Sequence, residues 1–173
     1  MRRVAAHEPC ALEQLISSHR LPISRLAFRL MGWQADVDDV VQDVFVTAFE
    51  KAGQYRGQAS LWTWLTIITL NKSRTALRRR ALRNRLESVI GLGHGQTESF
   101  VNTPEADELT MQVRSAVCAL SPRDREIIIL HHLEGKTPLE IGKLLALPAN
   151  TIHARLYRAR KRLKDRLSAY MKD

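Results

Sequence analysis

The sequence lacks several features that would assign it to common classes of protein. No apolar run approaches the ~20 residues of a membrane span, and the longest uncharged apolar run, Leu61 to Leu70, is interrupted by three threonines. An acid follows soon after the start, at Glu8, which argues against a signal peptide. Glycine and proline are sparse, at 8 and 6 residues, and no long alternation of β-branched residues predicts a strand. We therefore expect an all-α protein that is not membrane-embedded.

Cysteine pairs, metal-ligand spacings and catalytic constellations are also scarce. The only two cysteines, Cys10 and Cys118, lie far apart in sequence, so we expect free, packed thiols in a reducing cytoplasm. His131 and His132 are adjacent and point about 100° apart on a helix, which disfavours a shared metal. No nucleophile–base pair, carboxylate dyad or cofactor loop stands out. We therefore expect no enzyme activity, cofactor, metal or small-molecule substrate.

Positive charge is what the sequence has in excess. Lysine and arginine number 27 against 18 acids, which gives a net charge of +9 and a pI of about 10.1. Such a balance predicts a polyanionic partner, which could be DNA, RNA or an acidic membrane surface.

The segment Asp36 to Ala52 reverses this charge locally. It predicts an amphipathic helix that buries Val37, Val40, Val41, Val44, Phe45 and Ala48. Asp36 is suited to the N-cap of this helix, while Asp39, Gln42 and Asp43 lie on the opposite face. The acidic face is either solvated or docks a basic protein, and the charge pattern does not decide between the two.

A long helix is predicted from Leu61 to about Leu86, with Ser60 as its cap. Its second half carries seven cations and no acid, which predicts contact with phosphates: Lys72, Arg74, Arg78, Arg79, Arg80, Arg83 and Arg85. The loop Tyr55 to Ser60 precedes an aromatic cluster and this basic helix, a combination suited to single-stranded nucleic acid. We interpret Trp64, in that cluster, as a core residue.

The segment Ser121 to Leu167 has the pattern of a helix-turn-helix followed by a basic helix. Thr137 is predicted to cap one helix, and Asn150 or Thr151 the next. In the last helix, an apolar stripe is predicted at Ile152, Leu156, Ala159, Leu163 and Leu167. A different face carries His153, Ala154, Tyr157, Arg158 and Lys161. We favour DNA binding over a merely solvated basic surface.

These segments predict two small helical domains, at residues 8–86 and 105–173, joined by a flexible linker at 87–104. Pro22 predicts a kink or break within the first helical region, Ala11 to Met31, and Gly32 suits the left-handed position after it. Two DNA-binding units on one flexible chain would contact separated sites on one duplex.

Five segments, in this order and spacing, resemble bacterial sigma factors of the extracytoplasmic-function group of the sigma-70 family. They are DVDDVVQDVFVTAFEKA (Asp36 to Ala52), YRGQASLWTWL (Tyr55 to Leu65), NKSRTALRRR (Asn71 to Arg80), LSPRDREIIILHHLEGKTPLEIGKLL (Leu120 to Leu145) and TIHARLYRARKRL (Thr151 to Leu163). The resemblance implies a region 2-like bundle, a region 4-like helix-turn-helix, and three partners: RNA polymerase core, promoter DNA and an anti-sigma factor.

The resemblance also implies residue roles. Asp39, Gln42 and Asp43 would dock the polymerase core. The −10 element would be held by Tyr55, Arg56, Gly57, Gln58, Ala59, Ser60, Asn71, Arg74, Arg78 and Arg79. The −35 element would be read by Thr151, His153, Ala154, Arg155, Tyr157, Arg158 and Lys161, with Arg155, Arg160 and Lys161 nearer phosphates. The alternative function is a conventional helix-turn-helix repressor or activator with an N-terminal dimerisation domain; a basic RNA-binding protein is a third interpretation.

Four positions depart from the family pattern. Thr75 stands where Asp or Asn is common, which bears on base preference. Gly142 and Ala146 stand where Ala and Gly are usual, and we expect these exchanges to cost helix propensity and turn fitness respectively. Asn150 replaces a usual Gly and is expected to tolerate left-handed geometry.

Overall fold

The computed structural model describes residues 1–6, 8–32, 37–90 and 108–170. In these ranges the regular structure is helical and no strand occurs, which confirms the all-α prediction. The chain divides into two compact units, Met1–Ser99 and Phe100–Asp173. The predicted linker at 87–104 lies largely outside the described residues.

The first unit consists of α1 (Arg2–Ala5), α2 (Pro9–Leu30), α3 (Asp38–Glu50), a 3₁₀ turn (Ala52–Gln54) and α4 (Leu61–Ile90). The helices α2, α3 and α4 pack pairwise around a shared core. Ile23, Val44 and Leu65 are fully buried at its centre. The short α1 adds Val4 to the same core and packs against the 3₁₀ turn.

Of the kink or break predicted at Pro22, the break does not occur, because helix α2 passes through Pro22. An internal proline costs about 3 kcal/mol or more, because it removes one backbone hydrogen bond and crowds the preceding turn. The residues that follow it, Ile23, Leu26 and Ala27, are fully buried, and their packing offsets that cost. Gly32 adopts the predicted left-handed conformation after the helix, with φ of 83°.

Helices α3 and α4 follow their predicted faces but differ at their ends. The apolar residues of α3 are buried as predicted, while the helix begins at Asp38, directly after Val37. The predicted cap Asp36 lies outside the described residues. Ser60 caps α4 as predicted, because its Oγ accepts the Thr63 N–H at 3.1 Å. Helix α4 continues to Ile90, one turn beyond the predicted end.

The second unit consists of α5 (Glu108–Cys118), α6 (Pro122–Ile128), a π-helical segment (Ile129–Leu133), α7 (Pro138–Leu145) and α8 (Ala149–Tyr170). Helix α8 packs against α5, α6 and α7. The predicted cap Thr137 is confirmed: its Oγ1 accepts the Glu140 N–H, and the Glu140 carboxylate accepts the Thr137 N–H. This reciprocal capping box fixes where α7 begins.

The turn between α7 and α8 corrects two expectations. Neither Asn150 nor Thr151 is the cap, because α8 begins at Ala149 and the Pro148 carbonyl accepts the Thr151 N–H at 3.0 Å. The fixed φ of Pro148 suits a helix start, so α8 begins at Ala149, before both predicted caps. Ala146 adopts the left-handed conformation, as its expected cost in turn fitness implies, with φ of 53° and ψ of 47°, whereas Asn150 is helical.

Gly142 has a structural purpose that helix propensity alone does not reveal. A Cβ at this position would lie 2.6 Å from the Leu147 carbonyl oxygen. The Gly142 carbonyl in turn accepts the Leu147 N–H at 2.9 Å. The missing side chain therefore lets the turn fold back closely onto α7.

Candidate nucleic-acid interface

Helix α8 separates a buried stripe from an exposed polar face, as its periodicity predicts. Ile152, Leu156 and Ala159 are buried, and Leu163 and Leu167 are partly buried. The opposite side, here called the exposed face of α8, consists of His153, Ala154, Tyr157, Arg158 and Lys161. Tyr157 has 72% of its surface exposed. This face presents donors, an acceptor, a methyl group and positive charge, which are the groups that read base edges in a major groove.

Two arginines of α8 outside the exposed face, Arg155 and Arg162, both contact Asp124 on α6. Arg155 Nη1 donates to Asp124 Oδ1 at 3.3 Å, and Arg162 Nη1 donates to Asp124 Oδ2 at 3.2 Å. Asp124 is only 9% exposed, and the Arg155 side chain is 25% exposed. The structure therefore places Arg155, predicted near phosphates, in an internal ion pair that joins α6 to α8.

The other flanking residues of α8 are also partly engaged. Thr151 is half-buried at the start of the helix. Arg160 Nε donates to His132 Nε2 at 3.2 Å. Partial burial lowers the pKa of His132, and the nearby His131 and Arg160 lower it further. His132 is therefore neutral at physiological pH and free to accept this hydrogen bond.

No metal site is found in the part of the chain that the structure describes. No three side chains among its His, Cys, Asp and Glu residues come together to hold an ion. His131 Nδ1 instead contacts the Lys136 carbonyl oxygen at 2.8 Å. Neither Cys10 nor Cys118 forms a disulfide, as expected, but Cys10 is exposed, so the expectation that both are packed is wrong for Cys10. It lies near the start of α2, on its solvent side.

The acidic side of α3 is exposed at Asp38, Asp39, Gln42, Asp43 and Glu50. Asp39, Gln42 and Asp43 all face solvent, as their spacing predicts. Asp43 Oδ2 lies 3.7 Å from Lys72 Nζ on α4, and the Asp43 side chain remains 55% exposed. An exposed pair of this kind contributes at most about 1 kcal/mol, so Asp43 remains available to another cation.

An apolar groove of about 420 Å³ runs between α2 and α3 beside this acidic side. Leu12, Ile16, Phe45, Val46 and Phe49 contribute its apolar walls, and Asp38 and Gln42 border it. Val46 is 48% exposed. The acidic face and the groove together form a surface with both charge and apolar area, which suits a protein partner more than a polyanion.

The loop Tyr55 to Ser60 is held at both ends. The Tyr55 hydroxyl donates to the Ala59 carbonyl oxygen at 2.7 Å, and its ring lies 5.4 Å from that of Trp64 at 54°. Gly57 adopts φ of 72°, which allows the chain to reverse between these ends. The residues from Arg56 to Ser60 are exposed. The ends of the loop are therefore held by contacts, while its central residues are exposed to solvent.

The basic half of α4 follows the Tyr55–Trp64 contact along the same helix. Asn71, Arg78 and Arg79 are exposed, and Arg74 is half-buried, with its Nη1 3.5 Å from Asn71 Oδ1. The Thr75 hydroxyl donates to the Asn71 carbonyl oxygen at 3.0 Å. The exposed cations along one helix provide a track for a phosphate backbone.

Sequence reasoning missed two contacts in this arrangement. Trp64 packs against the core, as interpreted, but it also supports the loop through Tyr55. Asp124 was not singled out, although Ser121-Pro122-Arg123-Asp124 is a helix-start signal, and Ser121 Oγ accepts the Asp124 N–H at 3.2 Å. This signal predicts where α6 begins, but it does not predict which arginines the Asp124 carboxylate contacts.

Comparison with known proteins matches both units to described families. Sigma-70 region 2 matches residues 15–83, and Sigma-70 region 4 matches residues 110–163. The region 2 match over the first unit argues against a conventional helix-turn-helix regulator. None of the described helices is long and apolar enough to cross a membrane.

Several individual proteins are similar along most of this chain. The ECF sigma factor SigE of Mycolicibacterium smegmatis is 29% identical over 91% of the chain, which spans 62% of that protein's length. The sigma factor NccH of Alcaligenes xylosoxydans xylosoxydans is 30% identical over 94% of the chain and 89% of its own length.

The solved structure of CnrH, in complex with the cytosolic domain of CnrY, has 29% sequence identity and a TM-score of 0.67. It covers 97% of this chain and 94% of CnrH. The chain therefore belongs to the RNA polymerase sigma factors of the sigma-70 family, in the extracytoplasmic-function group, whose work is to direct the polymerase to promoters.

Proposed function

We propose that the two units divide promoter recognition between them, with a boundary near the predicted linker at 87–104. The unit over 8–86 docks the polymerase core and opens the −10 element, and the unit over 105–173 reads the −35 element. The observation that carries this proposal is the opposite chemistry of two exposed helix faces. The face of α3 is acidic on a chain of net charge +9, whereas the exposed face of α8 is basic.

On the duplex, the exposed face of α8 contacts base edges. Its residues His153, Ala154, Tyr157 and Arg158 face the bases, with His153 and Ala154 one turn before Tyr157 and Arg158. Arg160 and Lys161 meet phosphates. Arg155 orients α8 through Asp124, so its contribution to DNA binding is indirect.

On the opened strand, capture of unstacked bases offsets the few kcal/mol needed to separate them. The exposed Arg56, Gly57 and Gln58 meet a flipped base, and Asn71, Arg74, Arg78 and Arg79 follow the strand. Because the work is done by binding energy, we propose no catalytic step for this chain. We place it in the cytoplasm, where polymerase and promoter meet.

The acidic face of α3 docks the polymerase through Asp39, Gln42 and Asp43, against a basic surface on the core. The neighbouring groove adds apolar contact to this charge pairing. An anti-sigma factor that covers the same surface would block docking. The complex of the similar CnrH with the cytosolic domain of CnrY supports such a partner.

Asp43→Ala tests the docking assignment. We expect weaker affinity for purified core polymerase and little change in stability, because the exposed pair with Lys72 contributes at most about 1 kcal/mol. Glu13→Ala, which removes an acid from α2 that is also exposed, is the matched control and should leave the affinity unchanged. If Asp43→Ala preserved core affinity but abolished binding of free DNA, the docking assignment would be wrong.

Arg158→Ala tests the reading assignment. We expect loss of about 1–3 kcal/mol of −35 affinity and relaxed preference at one base pair. Arg166→Ala removes an exposed arginine two turns further along α8 and should weaken binding uniformly across sequences. Equal loss of sequence preference in both variants would contradict base reading by Arg158.

A further inference from the structure

The Tyr55–Ser60 loop is closed by contacts that its exposed position does not require. The Tyr55 hydroxyl donates across the loop to the Ala59 carbonyl oxygen at 2.7 Å. Both groups could bond water instead, since the pair is exposed. At the far end, Ser60 Oγ caps α4 and lies 2.8 Å from the Thr63 hydroxyl. The loop therefore has two fixed ends and an exposed centre.

The tyrosine is itself held in place by α4. Its ring contacts Trp64 with a centroid separation of 5.4 Å and an interplanar angle of 54°. Trp64 is half-buried and packs against the core of the first unit. A tilted aromatic pair of this geometry is favourable beyond the area that it buries. The conformation of the loop is thus coupled to the core through two aromatic side chains.

We propose that Tyr55 and Trp64 are positioning residues that preorganise the loop for base capture, rather than residues that contact the base. This rests on the proposed function, in which the loop receives a base from the −10 element. The Tyr55 hydroxyl is already engaged, so the groups left to read a base are those of Arg56, Gly57 and Gln58. A loop that is ordered before binding does not lose its conformational freedom when the base arrives, and affinity rises accordingly.

The consequence is a specific division of effects. Substitutions at Arg56 or Gln58 change which base is preferred, because these side chains meet its edge. Substitutions at Tyr55 or Trp64 weaken capture and loosen the loop even without DNA. Amide hydrogen exchange in the free protein therefore separates the two kinds of residue, since a base contact has no effect on the unbound loop.

The decisive variant is Tyr55→Phe, which keeps the ring against Trp64 and removes only the hydroxyl. Amide exchange at residues 56–60 is measured in the free full-length chain. Affinity is measured with core polymerase on a promoter selected by the wild-type holoenzyme from a randomised pool, with an unpaired bubble across the −10 region. We expect exchange to accelerate and bubble affinity to fall, each by roughly fivefold, the effect of one net hydrogen bond.

Trp64→Leu is the second variant, and Trp62→Leu is its matched control. Both remove an indole that packs against the same core, two residues apart on α4. We expect faster loop exchange and weaker bubble binding with Trp64→Leu, and neither change with Trp62→Leu. Equal affinity for free core polymerase in all variants checks that the unit remains folded.

Three outcomes have distinct meanings. Weaker bubble affinity of Tyr55→Phe with unchanged loop exchange would mean that the hydroxyl contacts DNA, which overturns the inference. Faster loop exchange with unchanged bubble affinity would mean that the order of the loop does not affect base capture, which also overturns the inference. If the wild-type holoenzyme gained nothing from the bubble, the proposed function itself would fail.

Discussion

The substitution Asp124→Ala tests how the DNA-reading helix is held in place. The two carboxylate oxygens of Asp124 receive Arg155 Nη1 at 3.3 Å and Arg162 Nη1 at 3.2 Å. Its backbone N–H is separately bonded to Ser121, so the start of α6 survives the substitution. What is lost is the anion between two cations of α8.

The expected cost follows from burial. Breaking a fully buried ion pair costs about 3–5 kcal/mol, because one charge is left without a partner. Here the Arg155 side chain is 25% exposed and that of Arg162 is 59% exposed, so water recovers part of the loss. We therefore expect the free energy of unfolding of the second unit to fall by about 2–3 kcal/mol.

The assay is equilibrium urea unfolding of the full chain, with amide exchange in α8 to assign the loss to the second unit. Arg162→Ala is the control and should cost less than about 1 kcal/mol, because that side chain is mostly solvated. Duplex −35 affinity should fall with Asp124→Ala although Asp124 is distant from the exposed face in sequence. If Asp124→Ala lowered the free energy of unfolding that protects the amides of α8 by less than about 0.5 kcal/mol, Asp124 would not anchor this helix.

Three further predictions follow from single contacts in the second unit. Ala146→Gly should stabilise the turn by about 0.5–1 kcal/mol, measured by thermal unfolding, because alanine is strained at φ of 53°; destabilisation would contradict it. Thr137→Ala should cost about 1 kcal/mol of unfolding free energy through loss of the capping box with Glu140; no cost would contradict it. The pKa of His132 is lowered, chiefly by partial burial, so the folded state disfavours its proton. The contribution of His132 to the free energy of unfolding is complete above pH ~6.5 and is lost as the pH falls. His132→Gln should therefore flatten the decline of the unfolding free energy on acidification, measured by urea unfolding.

The faces of the helices could be predicted from the sequence because burial imposes a period. The apolar spacings placed Val44 inside α3 and Ile152 inside α8, and both are fully buried. The exposed positions Asp43 and Arg158 followed from the same periods. Periodicity reports which side of one helix is covered, and that information is local.

The contacts between elements could not be predicted, because they depend on how distant segments pack. Asp124 is 31 and 38 positions from Arg155 and Arg162, and nothing local joins them. At Gly142, propensity indicated only a cost, whereas the close Leu147 carbonyl gives the residue its reason. The predicted start of α8 was wrong because Asn150 is a good cap in isolation. Pro148 lies two residues before it and allows the helix to begin at Ala149 instead.

The measurement that tests the central claim most directly is run-off transcription with purified core polymerase and a promoter selected by the complex. The account predicts promoter-dependent initiation only when this chain is present, reduced by Asp43→Ala through polymerase binding and by Arg158→Ala through −35 recognition. Stable binding to a palindromic site by the chain alone, with no initiation when core polymerase is added, would contradict it.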